Sequence, residues 1–253
     1  MDTLFAQCLE QMESWFRALE KRVPQPYKMP FLHSFVFRYK EKTLEQALIQ
    51  KLARVVTGLH SARILLNSGF LQEQIAIHRM LDELQQDISF LSFARLGDGI
   101  TELHQRYLDA FYEEEFNVPE NLVASTQKRP SIPRKKILAY VARKEAEMGV
   151  SNPSYATEQT RTLSKAYSGF VHGASPQIMD MCGGFPPRFW ISGMLGTTPE
   201  HKHRNDLWNY FYRGLISFNV IALVFGDLNV AENSRSYSIA FEKANGRNYT
   251  KDI

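Results

Sequence analysis

Between Thr43 and Leu91 the chain carries two runs in which apolar residues recur every third or fourth position, separated by a glycine stop at Gly69. Leu44, Leu48, Leu52, Val55, Val56, Leu59, Ala62 and Leu66 make the first stripe, and Phe70, Ile77, Leu81, Leu84, Ile88 and Leu91 the second, which ends at Gly97. That spacing puts the side chains on one face of an α-helix, and so short a turn makes the two helices antiparallel neighbours. Thr43 and Gln46 stand three apart, the spacing of a capping box in which hydroxyl and amide satisfy each other's backbone N–H groups. The expected fold class follows: all-α, one helical-bundle domain of about seven helices.

The other helices are read in the same way. Leu4, Phe5, Cys8, Leu9, Met12, Trp15, Phe16 and Leu19 give an N-terminal helix ending before Pro24, and Phe31, His33, Phe35, Phe37 and Tyr39 alternate with period two, as in a short strand or β-hairpin. Asp98 is placed as the cap of a fourth helix running to Phe111, and Pro133 as the start of a fifth. A sixth begins at Asn152–Pro153 and runs to about His172; a seventh, apolar nearly all round, spans Asn205 to about Leu228. Seven glycines and prolines between Gly183 and Pro199 forbid a helix there, so this stretch reads as a long, functional loop. The expected domain covers 1–253, with its helical core at about 42–228, the first helix packed on it, and a polar tail from Asn229 that adds at most a short helix at Tyr237–Ala244.

A 44% apolar content over 253 residues is ample for a core and excludes disorder as the main state. A net charge of +3 permits a polyanionic partner without requiring one. Two cysteines, Cys8 and Cys182, support neither a disulfide framework nor a thiolate zinc site, and no run reaches the roughly 18 apolar residues of a membrane span. A cytoplasmic protein with no membrane attachment is the natural expectation. His201 and His203 beside Glu200 match no closed metal motif, and nucleotide-binding glycine loops and the GxSxG elbow are missing, so no metal and no cofactor is expected.

Two polar faces carry the candidate chemistry. Arg161, Lys165, Ser168 and His172 lie four, three and four apart, one stripe of the sixth helix opposite Leu163, Ala166, Tyr167, Phe170 and Val171. Its cations suit a phosphate and its imidazole a proton transfer, although the same pattern also describes an ordinary solvated helix face. On the third helix, Arg79 and Glu83 are four apart and can pair; His78 and Asp82 repeat the spacing. In the glycine-rich loop, Arg188, Phe189 and Trp190 offer a stacking and contact surface, whereas Trp208, Phe211, Tyr212 and Leu215 follow core spacing.

The run Gly69, Phe70, Leu71 to Glu73, Arg79, Leu81, Glu83, Phe90 and Leu91, followed by Tyr167, Ser168, Val171, His172 and Gly173, resembles the two motif helices of the bacterial DUF5677-type proteins of unknown function. The resemblance implies an all-helical domain, distantly similar to HEPN domains, in which paired helices can carry an arginine and a histidine for metal-independent RNA cleavage. It would make His172 the proton-transfer group, with Arg79 and Glu83 beside it and Arg161, Lys165, Ser168, Tyr167, Arg188 and Trp190 holding RNA or another phosphate-bearing ligand. In HEPN nucleases the arginine stands four to six residues before the histidine; here Arg161 is eleven before His172 and Ser168 occupies the fourth. A catalytic arginine would therefore come from Arg79, which requires the third and sixth helices to pack together. Two other readings stand beside this one: a non-enzymatic interaction or homo-oligomerisation module, and a small-molecule pocket between helices three, six and seven, gated by Ala174–His203.

Overall fold

The structure, a computed structural model, describes all residues except 115, 119, 122, 126–129, 150–161, 163–164 and 250–253. Arg161, the Asn152–Pro153 start of the sixth helix and the basic pair Lys128–Arg129 therefore lie outside the described residues. The rest is a helical bundle with two small hairpins. Helix α1 is Asp2–Glu20, strands β1 and β2 are Tyr27–Phe31 and Ser34–Arg38, α2 is Leu44–Asn67, α3 is Leu71–Phe93, α4 is Glu102–Tyr112 and α5 is Arg134–Glu147. Residues 165–171 are helical, followed by α6 at Ser175–Met179, β3 and β4 at Cys182–Gly183 and Arg188–Phe189, α7 at Thr198–Val224 and α8 at Leu228–Ala244.

The helical hairpin forms as the spacing predicts. The Thr43 hydroxyl accepts from the Gln46 N–H at 3.2 Å, and the Gln46 side chain accepts from the Thr43 N–H at 2.9 Å, which sets the first turn of α2. Gly69 turns the chain at φ +78°, a conformation that an L-side chain resists, and the Met194 N–H donates to its carbonyl at 2.8 Å. Around this hairpin, α7 is the central element: Trp208, Phe211, Leu215, Phe218 and Ile221 are fully buried. Phe211 stacks on Phe5 of α1 at 4.5 Å, and burying a ring of that size contributes on the order of 2–3 kcal/mol. Burial also pushes the Cys8 thiol up, so that residue acts as a small apolar side chain.

Four helices meet at a charged knot. Lys51 of α2 donates to Asp87 of α3 at 2.7 Å, Arg134 of α5 pairs with the other Asp87 oxygen, and the Lys51 ammonium lies 4.6 Å from the ring centre of Phe111 in α4. Arg134 also donates to the Glu83 carbonyl at 2.6 Å and the Gln86 side chain at 2.7 Å.

Several boundaries differ from the sequence reading. The cap of α4 is Thr101; Asp98 instead closes a π-helical turn at Ala94–Asp98. There, His104 Nδ1 accepts from the Thr101 N–H at 3.2 Å, so its Nε2 carries the proton and donates to the Phe90 carbonyl at 3.1 Å. The period-two stretch covers the last residue of the first arm, the turn and the second arm of an antiparallel hairpin that starts at Tyr27, with Leu32 at φ +50° in the turn. Helix α7 begins seven residues before Asn205, because Pro199 sits in its first turn, where proline needs no N–H. The polar tail forms the 17-residue α8, started by Asp227, whose carboxylate accepts from the Val230 N–H at 3.1 Å and is held by Arg22 at 2.7 Å. No described helix is long and apolar enough to cross a membrane.

Candidate functional site

The seam between α3 and α7 is polar where a bundle interior is ordinarily apolar. On α3, Gln74, His78, Asp82 and Gln85 fall four, four and three apart; on α7, His203, Asp206, Tyr210, Arg213 and Ser217 keep the same rhythm, so each row follows one helix face. His203 Nδ1 donates to the Gln74 side chain at 3.3 Å, and the Gln74 amide reaches the His203 carbonyl at 3.5 Å. The His78 ring stacks on Tyr210 with centroids 4.1 Å apart. Tyr210 donates its hydroxyl proton to Asp82 at 3.0 Å, Arg213 holds the other Asp82 oxygen, and the Gln85 amide donates to the Tyr210 carbonyl at 3.4 Å. Tyr167, from the stretch 165–171, shares a side-chain hydrogen bond with Tyr210.

Burial sets the protonation of this ladder. It lowers His78 to about 3, helped by the facing His203 and Arg213, and His203 to about 4, with Lys202 adding to the effect and Asp180 opposing it. Both imidazoles are neutral at ordinary pH. With its Nδ1 proton given to Gln74, His203 keeps Nε2 as an acceptor, while the fully buried His78 has an Nε2 without a partner. Burial also raises Tyr210, Tyr167 and Asp206.

The ladder opens at its N-terminal end into a cleft of about 620 Å³ between α3, the stretch 165–171 and the first turns of α7. Ile75, Phe170, Met194 and Pro199 supply apolar walls; Tyr167, Asp180, Lys202, His203 and Asp206 supply polar ones. Asp206 is half-buried and has no hydrogen bond or ion pair among the described residues. The cleft thus combines an apolar body with a carboxylate and a neutral imidazole free to accept a donor or a proton.

The residues singled out from the sequence are distributed as follows. Arg79 and Glu83 pair at 3.7 Å with side chains 27% and 50% exposed, a contact worth a few tenths of a kcal/mol at most. His172 is exposed just past residue 171, and no hydrogen bond or ion pair joins it to Arg79 or Glu83. Lys165 is exposed and Ser168 half-buried, while Tyr167 enters the cleft. Trp190 is half-buried against the core with Arg188 5.3 Å over its ring, so the pair is linked but Trp190 is partly spent on packing. His78 and Asp82, four apart, do not pair with each other: the first stacks on Tyr210 and the second binds it.

Sequence reasoning missed Asp206 and Tyr210 as site residues because the helix from Asn205 read as apolar nearly all round, and His203 because it was placed in the loop before that helix and weighed only as a metal ligand. The available signal was the three-or-four spacing of His203, Asp206, Tyr210 and Arg213 against the matching row on α3. Among the described residues no group of three or more histidine, cysteine or acidic side chains is placed to hold a metal ion. No protein-family model, curated protein or solved structure matches the chain.

Proposed function

We propose that the protein is a small-molecule-binding helical domain whose ligand sits in the cleft between α3, residues 165–171 and the start of α7. The observation that carries this reading is the 620 Å³ cleft with Asp206 half-buried and unpaired in its wall beside a neutral His203. A carboxylate left in that position by burial awaits a donor from a ligand, and the apolar walls give a ligand body somewhere to bury.

The test is a fragment screen by thermal shift on the wild type and on Ala166→Trp, an exposed position whose larger side chain fills the cleft. Fragments that raise the melting temperature of the wild type and lose at least about ten-fold in affinity in Ala166→Trp support the reading. Fragments that bind both proteins alike, or none that bind at all, refute it.

A second reading, metal-independent cleavage of RNA or another phosphate ester, draws on the exposed Lys165, Arg188 and His172, which stand open to a polyanion. In it, His172 would move the proton from a 2′-hydroxyl while the cations hold the phosphate. Unchanged RNA cleavage after His172→Ala, or none by the wild type, removes it.

A further inference from the structure

We propose that the β1–β2 hairpin docks the protein on an anionic bilayer surface, its turn and outer face entering the lipid headgroup layer. The strands pair Lys28 with Phe37 and Pro30 with Phe35, which puts these four exposed side chains on one face, while Met29, Phe31 and Val36 of the other face are half-buried. The solvent face of an antiparallel pair is ordinarily polar. Here Phe35 and Phe37, with Leu32 in the turn, are each 48–54% exposed, and the extensive contacts of the two arms are with each other rather than with a helix.

Leu32 and His33 form a two-residue turn between the paired Phe31 and Ser34. Leu32 takes φ +50°, a conformation that costs an L-side chain and suits glycine or asparagine, so the turn holds an apolar group outward against its own backbone preference. Charge gathers at the other end of the hairpin. Lys28, Arg38, Lys40 and Lys42 against Glu41 alone give 27–42 a charge of +3, equal to the net charge of the whole chain. Arg38 is bound to Glu114 and Lys42 lines a groove with Glu113, which leaves Lys28 and Lys40 for an outside anion. At about 3.3 Å per residue, Lys28 stands roughly 10 Å behind the turn, a match to the depth of about 5–10 Å to which an interfacial element enters a bilayer. The turn can thus reach the acyl boundary while Lys28 meets the lipid phosphates.

A single-stranded nucleic acid fits this surface less well, because successive bases stack on open ring faces. The Phe35 and Phe37 rings stand at 83° to each other, the Lys28 ammonium lies 4.5 Å over Phe35, and Leu32 has no ring, so the face suits hydrocarbon. No described helix can cross a membrane; a hairpin of this kind lies on one.

Co-sedimentation of the full chain with vesicles of phosphatidylcholine carrying about 30% phosphatidylglycerol, and with phosphatidylcholine alone, tests the proposal. Binding to the anionic vesicles should be at least about ten-fold tighter and should weaken with added salt. Leu32→Gly should weaken it about ten-fold while the melting temperature stays level or rises, since glycine relaxes the turn; a merely structural Leu32 would lose stability instead. Phe35→Ser/Phe37→Ser should abolish sedimentation with the fold intact by circular dichroism, and Lys28→Glu/Lys40→Glu should reduce binding to the neutral-vesicle level. Phe35→Trp should add emission that lipids brominated on their acyl chains quench. Equal binding to both vesicles, no binding, full binding by Phe35→Ser/Phe37→Ser, or no added quenching in Phe35→Trp overturns the assignment. Capture of oligouridylate that the same variants lose, without vesicle binding, gives the face to a nucleic acid and likewise overturns it.

Discussion

Replacing Asp87 with alanine should be among the most damaging single changes in the bundle. The carboxylate joins Lys51 at 2.7 Å and also receives Arg134, with the Lys51 and Asp87 side chains only 7% and 10% exposed. At that separation the attraction between unit charges is about 6 kcal/mol for an effective dielectric of 20, most of it offset by the cost of taking both ions out of water. Removing the anion alone leaves the desolvation of Lys51 in place and takes away this pair's share of the compensation, a loss of about 3–5 kcal/mol in comparable buried pairs. The rings of Phe111 and Tyr107, 4.6 and 5.3 Å from the ammonium, retain about 1 kcal/mol of that. Asp87→Ala should therefore destabilise by about 3–4 kcal/mol, a fall in melting temperature of roughly 6–16 °C for a chain of this size. Lys51→Met should cost less, about 1–2 kcal/mol, because Asp87 keeps Arg134, and the double variant Lys51→Met/Asp87→Leu should recover part of the loss. Urea unfolding of the four proteins measures this. A loss below about 1 kcal/mol for Asp87→Ala, or a greater loss for Lys51→Met, would refute the account.

The two histidines of the ladder make stability depend on pH. Their folded values, about 3 for His78 and about 4 for His203, lie below the ordinary 6.5, so the unfolded chain takes up more protons in acid. Stability should be level above about pH 7 and fall as pH drops from 6.5 toward 4, by up to ~1.4 kcal/mol per unit for the buried His78 and less for the partly exposed His203. Urea midpoints at pH 8, 7, 6 and 5 give the slope, which His78→Gln should reduce; an unchanged slope argues against His78 as its source. Gly69→Ala should cost at least ~2 kcal/mol, since a Cβ there would lie 2.7 Å from Met194 N and 2.8 Å from Leu195 N at φ +78°. Gly226→Ala, at φ +66° with open space around it, should cost only about 1 kcal/mol, and calorimetry that ranks the two in reverse contradicts the packing argument.

The helical class was readable because Leu44–Leu66 and Leu81–Leu91 repeat with an unmistakable period, and because Thr43 and Gln46 announce their turn through local chemistry. What stayed hidden depends on partners distant in sequence. His78 reads as half of a local pair with Asp82 until Tyr210, more than a hundred residues later, takes both. Helix α8 was underestimated because Ser234 and Ser238, polar by composition, are buried with their hydroxyls bonded to carbonyls three residues back. The same limit applies to the site: Tyr167 was identified for its place in a motif, but its role as a cleft wall depends on Tyr210 and Asp206. The stripe of Lys165, Ser168 and His172 was evident as a pattern, yet a pattern on one helix contains no information about which helix faces it.

The contact between Gly69 and Met194 also bears on how the irregular loop could change over evolution or by design. The chain is fastened twice, where the Trp190 N–H meets the Met181 carbonyl at 2.9 Å and where the Met194 N–H meets Gly69 at 2.8 Å. Between Met181 and Trp190 lies a small hairpin whose tip, Phe185, is fully exposed. That hairpin is a replaceable cassette: its length and tip sequence can be exchanged while the two fastenings keep Met194 in the cleft wall, so one scaffold can present different outer surfaces over an unchanged cleft.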